Sequence, residues 1–357
     1  MLKVAIRPQW EMRFPDGREL MPRLIDLLIA VDECHQLAAA CTRVALSYRY
    51  AWGLLKDAEA AFGAPLLASV RGRGARLSPL GEKLVWAERR VAARLTPILD
   101  SLASELEVEV ERALSETRPI LRVQATHGFA VETMRRFLVE QEVPLDLKYR
   151  SSGEGLSALH GGGCDLAGLH FAEGKLQPRV IARYTALLDR QRHHVIHLAT
   201  RRQGLIVAPD NPKNIAHLRD LSRPGIRFIN REPESGTRFL LDLMLHDEGL
   251  RGESILGYDD IEFTHAAVGA FVASGMADAG LGLETAARRF GLGYVPLLNE
   301  RYFFLCDEDM LDSPRVRRVI ELMSSDLFRT TVGSIPGYDA SRSGKVETLV
   351  AAFPAAR

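Results

Sequence analysis

The period of the apolar positions changes along the chain, and each change marks a different element. Residues 2–20 alternate weakly (Val4, Ile6, Trp10, Met12, Phe14) into the turn signal Pro15-Asp16-Gly17, which predicts a short hairpin or edge strand. Leu24, Leu27, Leu28 and Val31 then share one helical stripe that starts after Pro22. Residues 36–47 and 47–63 give two further short helices across a tight connection, the second ending at Gly63, which is the spacing of a helix-turn-helix. Residues 65–81 read as two short strands around a Gly/Arg tip, a wing. From Leu80 the series Leu80, Leu84, Ala87, Val91, Leu95, Ile98, Leu102 steps by three and four, a heptad-like seam suited to dimerisation. Thr96-Pro97 is expected to kink or interrupt that helix. The acidic run Glu105–Glu111 reads as a solvated face, and Glu116-Thr117-Arg118-Pro119 as a linker.

Beyond the linker the pattern becomes strand-helix alternation. Strands are predicted at 121–125, 143–150 and 165–170, with helices at 131–141 and around Leu156 and Leu159, a parallel βαβαβ layer. A second layer begins near Leu205, with strands at 206–208, 225–229, 257–264, 278–283 and 294–297. Helices fall at 215–221, from Phe239 onward and at 265–273. Residues 302–306 cross back, and helices at 314–329 close the domain. The fold class is α/β: a winged helix-turn-helix (1–80), a linker and dimerisation helix (81–118), and a two-lobed clamp (119–345). Lobe 1 covers about 119–200 and 301–345, and lobe 2 about 205–300.

Charge adds a location. The chain of 357 residues carries 46 basic and 46 acidic side chains, so any nucleic-acid surface has to be local. Arg43, Arg49, Lys56, Arg71, Arg73 and Arg76 face only Asp57 and Glu59 within their segment, the electrostatic footprint of a DNA reader. In that geometry Ser47, Tyr48, Arg49, Tyr50 and Trp52 open the recognition helix toward the major groove, while Arg71, Arg73 and Arg76 reach backbone or minor groove. An unrelated small helical domain with a basic face is the alternative. Four cysteines (Cys34, Cys41, Cys164, Cys306) without CxxC spacing point to reduced structural thiols. With no signal-peptide core and no run of 18 apolar residues, a cytoplasmic protein without membrane partners is expected.

The chemistry centres on residues 230–238, where a buried strand feeds Ser235-Gly236-Thr237-Arg238 at a helix start. Free amides, two hydroxyls and the positive end of the helix dipole suit an anion, although the same residues also serve as ordinary caps. Equivalent strand ends carry Thr126, His127 and Gly128, and Ser151, Ser152 and Gly153; His265 can cap the opposite side and Arg231 can supply charge. Ligands of open α/β sheets bind outside the carboxyl ends of strands, where these residues converge. No Gly-x-Ser-x-Gly elbow is present, Cys164 is a weak nucleophile candidate, and the crowd Arg192, His193, His194, His197 lacks carboxylates at ligand spacing. Neither catalytic nor metal-ligating residues are expected.

Residues 20–80 resemble the winged helix-turn-helix of LysR-type and ModE-type bacterial regulators, with Leu77-Ser78-Pro79-Leu80-Gly81 similar to the family's wing exit. Residues 119–345 resemble the effector domain of molybdate-binding-like, periplasmic-binding-protein-like proteins. That likeness is carried by 199–205, 230–231 with 235–238, 264–268, 277–282, 300–302 and Pro336-Gly337-Tyr338, with Glu234 standing where a small residue is usual. The resemblance implies a transcriptional regulator, not an enzyme, that binds an operator in double-stranded DNA as a homodimer or tetramer. It implies no covalent cofactor, and as effector a small anion: molybdate, tungstate or a molybdenum cofactor species, with a small carboxylate such as formate fitting the same donors. An enzyme using the cleft, or a cytoplasmic anion-binding protein without DNA regulation, are the alternatives.

Overall fold

The computed structural model of the chain describes residues 3–8, 12–13, 19–20, 23–69, 74–114 and 120–354. These form two compact units, one of residues 7–93 and one of residues 94–357 together with 1–6. The expected Pro15-Asp16-Gly17 turn, Pro22, the wing-tip residues Arg71 and Arg73, and the linker 116–119 lie outside the described residues.

In the unit of residues 7–93, the paired strands β1 (Met12–Arg13) and β2 (Glu19–Leu20) precede helices α1 (Leu24–Cys34), α2 (Leu37–Arg43) and α3 (Tyr48–Phe62). An antiparallel hairpin of β3 (Leu67–Ser69) and β4 (Ala75–Leu77) follows, with Leu67 opposite Leu77. The predicted stripe Leu24, Leu27, Leu28, Val31 is fully buried against Leu54, Leu55, Leu66 and Leu77. Burying each such side chain contributes about 1.5–3 kcal/mol, enough to define so small a core. Ser47 starts α3 by accepting the Tyr50 amide at 3.2 Å, and Gly63 ends it in the left-handed region at φ 65.

Helix α4 (Pro79–Leu114) differs from expectation in two ways. It runs unbroken through Pro97, because tertiary anchors on both sides of the proline outweigh its helix-breaking tendency. One turn before it, Arg94 pairs with Glu262, and one turn after it Ser101 accepts the Tyr149 amide at 2.9 Å. The acidic run is not a solvated face either: Glu107 and Glu111 are buried, and Glu107 accepts the Val4 amide at 2.9 Å.

The remaining chain forms β5 (Leu121–Ala125), α5 (Phe129–Glu140), β6 (Leu145–Tyr149), α6 (Ser152–His160), β7 (Leu166–Ala172), α7 (Gln177–Ala182) and β8 (His193–Val207). Next come β9 (Phe228–Arg231), α8 (Gly236–Asp247), β10 (Ile261–Glu262), α9 (His265–Ala273), β11 (Ala279–Leu283), α10 (Glu284–Arg289) and β12 (Gly293–Asp307). The chain closes with α11 (Glu308–Leu311), α12 (Pro314–Ser324), α13 (Asp326–Gly333), β13 (Tyr338–Asp339), β14 (Val346–Thr348) and α14 (Leu349–Ala352). One sheet runs in the order β10-β9-β11-β8-β12-β7-β5-β6, with β13 and β14 also on β8. Parallel pairs at each end (β9 with β10 and β11, β5 with β6 and β7) make two lobes. The antiparallel strands β8 and β12, each of 15 residues, pass through both.

Several predicted boundaries move for identifiable reasons. Residues 294–297 and 302–306 are halves of one strand: the break in apolar pattern around Asn299, Glu300 and Arg301 is a polar crossing point, with Glu300 opposite Arg201. The strand expected over 257–264 shrinks to two residues because Gly257 opens a turn closed by the Asp260 amide on its carbonyl at 3.1 Å. Past residue 345 the chain continues into β14 on β8, and Phe353 is fully buried.

Strand β6 ends the sheet order, and α4 covers that edge. Ser104 accepts the Leu147 amide at 2.9 Å and donates to the Leu145 carbonyl at 3.1 Å, Ser101 accepts the Tyr149 amide at 2.9 Å, and Lys148 meets Glu105 at 2.8 Å. Ser104→Ala leaves two buried backbone groups without partners, at an expected cost of about 1–3 kcal/mol. A lowered urea midpoint for loss of sheet signal checks this; an unchanged midpoint counts against the edge-covering role.

Candidate functional site

Between the two lobes lies a cavity of about 610 Å³. Its walls come from the carboxyl end of β5 (Thr126, His127), the start of α6 (Ser151, Gly153, Glu154), β7 (His170), β8 (Arg201), the β9 exit (Arg231), and the starts of α8 (Ser235, Gly236, Thr237) and α9 (Thr264, His265). The residue types follow from local need. Ser235 and Thr264 cap α8 and α9 by accepting the Arg238 amide at 3.1 Å and the Ala267 amide at 2.9 Å. The preceding amides, of Gly236 and Thr237 and of His265 and Ala266, then have no intrahelical acceptor, the usual condition of a helix start. Gly236 is required by close approach: a Cβ there would stand 2.6 Å from Cε1 of His170.

Behind this wall sits a buried polar network on the crossing strands. Glu300 accepts from Arg201 Nε at 3.1 Å and Gln203 Nε2 at 2.9 Å, and lies 3.0 Å from His170 Nδ1. Burial alone would raise the Glu300 carboxyl; His170 and Arg201 outweigh it and hold it at about 2. Burial keeps His170 below its ordinary value despite Glu300, with Arg201 pushing the same way, so the ionised pair is Arg201–Glu300 and the imidazole is neutral. Gln203 also donates to Thr237 Oγ1 at 3.3 Å, which leaves the Thr237 hydroxyl proton free to point elsewhere.

Among the described residues Arg231 is the buried cation least matched by carboxylate. Its Nε and Nη2 donate to the carbonyls of Glu262 (3.1 Å) and Phe263 (2.8 Å), and its acidic neighbour Glu232 is 3.9 Å away. Burial brings its guanidinium down to about 10, with Glu232 opposing and Arg201 reinforcing the shift, so it remains charged at neutral pH. His265 is driven well below its ordinary value, first by burial and then by Arg231 and Arg201, and its Nδ1 has no hydrogen-bond partner among the described residues. The cleft floor therefore holds Arg231 with Glu232 3.9 Å away, Arg201 paired with Glu300, neutral imidazoles, and N–H and O–H donors.

Not every expected residue reaches this floor. Arg238 is turned away from the cavity: it stacks on Tyr258 at 3.9 Å and bonds Asp242 at 3.3 Å, because its place in the first turn of α8 faces the opposite side from Thr237. Ser151 lines the cavity, but its amide and hydroxyl both donate to Glu154 (2.8 Å each) in a capping box, so a carboxylate already occupies that helix start. Ser152 is buried outside the lining residues, and Gly128 is packed beneath Arg201. Thr126 exchanges hydrogen bonds with Tyr302 (3.0 and 2.9 Å), and His127 is 2.5 Å from Glu132. Glu234 lines the rim with its carboxylate 83% exposed, 3.4 Å from Arg183, so its charge is largely spent in water.

Arg201, His170, Gln203, Glu300, Tyr149 and Phe263 were not among the expected site residues. The signals available for the first four were polar residues interrupting otherwise apolar strand runs at 170, 201–203 and 300, and for Arg201, Gln203 and Glu300 their place in the stretches 199–205 and 300–302 that carry the resemblance. The histidines and cysteines considered for chemistry sit elsewhere. His193 and His197 are buried beside Asp307 and Glu347, the Cys164 thiol is pushed up to about 12 by burial, and among the described residues no group of three His, Cys, Asp or Glu is placed to hold a metal.

The neutral histidines carry a pH consequence. Their folded values are depressed, so as pH falls below 6.5 the unfolded chain takes up protons that folded His170 and His265 refuse, and stability falls; above 6.5 the effect vanishes. Urea midpoints between pH 8 and 5 are expected to show that decline, and His265→Gln to flatten it by up to one proton. A slope unchanged in the variant would contradict a neutral buried His265.

With this geometry in place, comparison with known proteins gives a family. The PBP superfamily domain matches residues 135–324. The YvgK protein of Bacillus subtilis is 31% identical over 249 residues, which cover 68% of this chain and 79% of YvgK. The molybdenum-pterin-binding protein MopB of Rhodobacter capsulatus is 31% identical over 121 residues, covering 32% of this chain and 43% of MopB. Among solved structures, the LysR family transcriptional regulator CbnR is 16% identical with a TM-score of 0.39, over 84% of this chain and 98% of CbnR. The match across more than half of its length, together with the relationship to YvgK, makes this chain a member of the PBP superfamily.

Proposed function

We propose that the chain is an anion-responsive DNA-binding regulator, a homodimer whose two-lobed domain closes on its effector. The observation that carries the effector half is the convergence of Arg231 with the uncapped amides of α8 and α9 and the free hydroxyl proton of Thr237 on one cleft between lobes. Donors at helix starts give directional hydrogen bonds to an oxyanion, and an anion there relieves the burial of Arg231. Molybdate, tungstate, a molybdenum cofactor species and a small carboxylate such as formate all suit these donors. The name of MopB supports a molybdenum compound, through the stretch shared with it.

DNA binding is supported by α3, whose Tyr48, Arg49, Tyr50 and Trp52 are exposed on the turns that follow the Ser47 cap, with Lys56 and Arg76 also exposed. This is a winged helix-turn-helix reading of α1 to β4. Arg43 is the weakest contributor, since it pairs with Glu33 at 2.6 Å. Helix α4 supplies the coupling: Ser101, Ser104 and Glu105 fasten it to lobe 1, and Arg94 to Glu262 of lobe 2. A ligand that draws the lobes together acts on both attachments of one helix and shifts the population of its positions. The exposed Leu102 and Leu106 on α4 support a dimer seam.

Ser235→Ala with Thr237→Ala is expected to weaken molybdate or formate binding about 10- to 100-fold by calorimetry while leaving effector-free DNA binding intact; unchanged affinity would refute the donor assignment. Arg49→Ala is expected to weaken operator binding and lower the salt slope by about one. A gel shift unaltered across salt would remove α3 from the interface.

A further inference from the structure

The polar floor accounts for one end of the cleft only. Pro97 and Ile98 of α4, Tyr149 at the end of β6 and Phe263 before α9 line the same cavity. Their proximity follows from the bonds around them. Arg94 holds Glu262, the residue before Phe263, and Ser101 holds the Tyr149 amide, so the turn of α4 carrying Pro97 and Ile98 reaches from one aromatic ring to the other. Ile98 is 57% and Phe263 50% exposed, both presenting apolar carbon to the cavity. Tyr149 is buried, with His127 edge-on at 4.9 Å, yet its hydroxyl has no hydrogen-bond partner among the described residues. A buried hydroxyl without a partner costs about 1–3 kcal/mol, and one lining a cavity is positioned to meet a ligand. The 610 Å³ of space falls within the range of roughly 300–1,000 Å³ typical of organic ligands, whereas a bare tetrahedral or one-carbon anion uses the polar floor alone.

We propose that the effector is an organic anion. Its phosphate or carboxylate group sits at Arg231, Thr237 and the starts of α8 and α9, its flat unsaturated body packs against Pro97, Ile98 and Phe263, and a polar substituent of that body meets the Tyr149 hydroxyl. This rests on the anion-cleft reading and narrows its ligand class. It also gives α4 direct contact with the ligand, because the apolar wall belongs to that helix.

Calorimetry on the full-length protein with two matched pairs, inorganic phosphate against phenyl phosphate and formate against benzoate, tests the assignment. In each pair the ringed member is expected to bind at least tenfold tighter. Ile98→Ser with Phe263→Ser is expected to erase that gain and leave the small member within twofold. Both positions are largely exposed, and circular dichroism with native mass spectrometry checks that fold and oligomeric state persist. Equal affinities within both pairs, a gain that survives the double substitution, or molybdate binding tighter than either ringed probe would overturn the organic-anion assignment and leave the anion cleft standing. Binding of none of these probes would overturn both.

Discussion

The ion pair of Glu300 with Arg201, buried where β8 and β12 cross, is the interaction on which the two-lobed unit depends. Both residues are almost wholly inaccessible, and each is satisfied by more than the other: Arg201 lies over the Tyr302 ring at 5.0 Å, and Glu300 takes in Gln203 and His170. Such a cluster contributes little net stability compared with an apolar replacement, but removing one partner strands a buried charge at a cost of about 3–5 kcal/mol. Its value is positional. Through Gln203 it sets Thr237, and through His170 it sets the surface on which Gly236 lies, so the first turn of α8 in one lobe is registered against strands that belong to both.

That registration explains how a cleft with several acidic neighbours can still favour an anion. Glu300 is neutralised by Arg201, Glu262 by Arg94, and Glu154 is turned back onto the start of α6, while Glu234 faces solvent. Arg231, held by carbonyl groups, keeps its charge available at the floor. Neutral His170, whose one N–H faces Glu300, and neutral His265 add no further charge, which burial makes too costly to carry unpaired. Those four carboxylates are occupied elsewhere, and Glu232, 3.9 Å from Arg231, shares the cavity lining with the helix starts of α8 and α9.

Helix α4 shows a second division of labour. Its heptad-like seam is legible as a long helix, but the serines at 101 and 104 read only as ordinary polar positions until β6 is placed against them. The same holds for Glu107 and Glu111, whose acidity suggests solvent and whose burial depends on what folds over them. Pro97, a breaker by local rule, is tolerated because anchors a turn to either side hold the helix across it.

Local pattern alone determined much: the period-2 and period-3.6 runs place most strands and helices, Ser47, Ser151, Ser235 and Thr264 mark helix starts, and Ser235-Gly236-Thr237 points to the cleft. Those signals survive in sequence because capping and amphipathic burial are decided within a few residues of chain. Tertiary structure alone decided which helix starts meet in one cleft. The Ser151–Glu154 capping box is local, but the strand crossing that joins His170, Arg201, Gln203 and Glu300 into one network depends on pairings across up to 130 residues of chain, as between His170 and Glu300. A polar residue in a strand carries no mark of its partner until the sheet brings the two together.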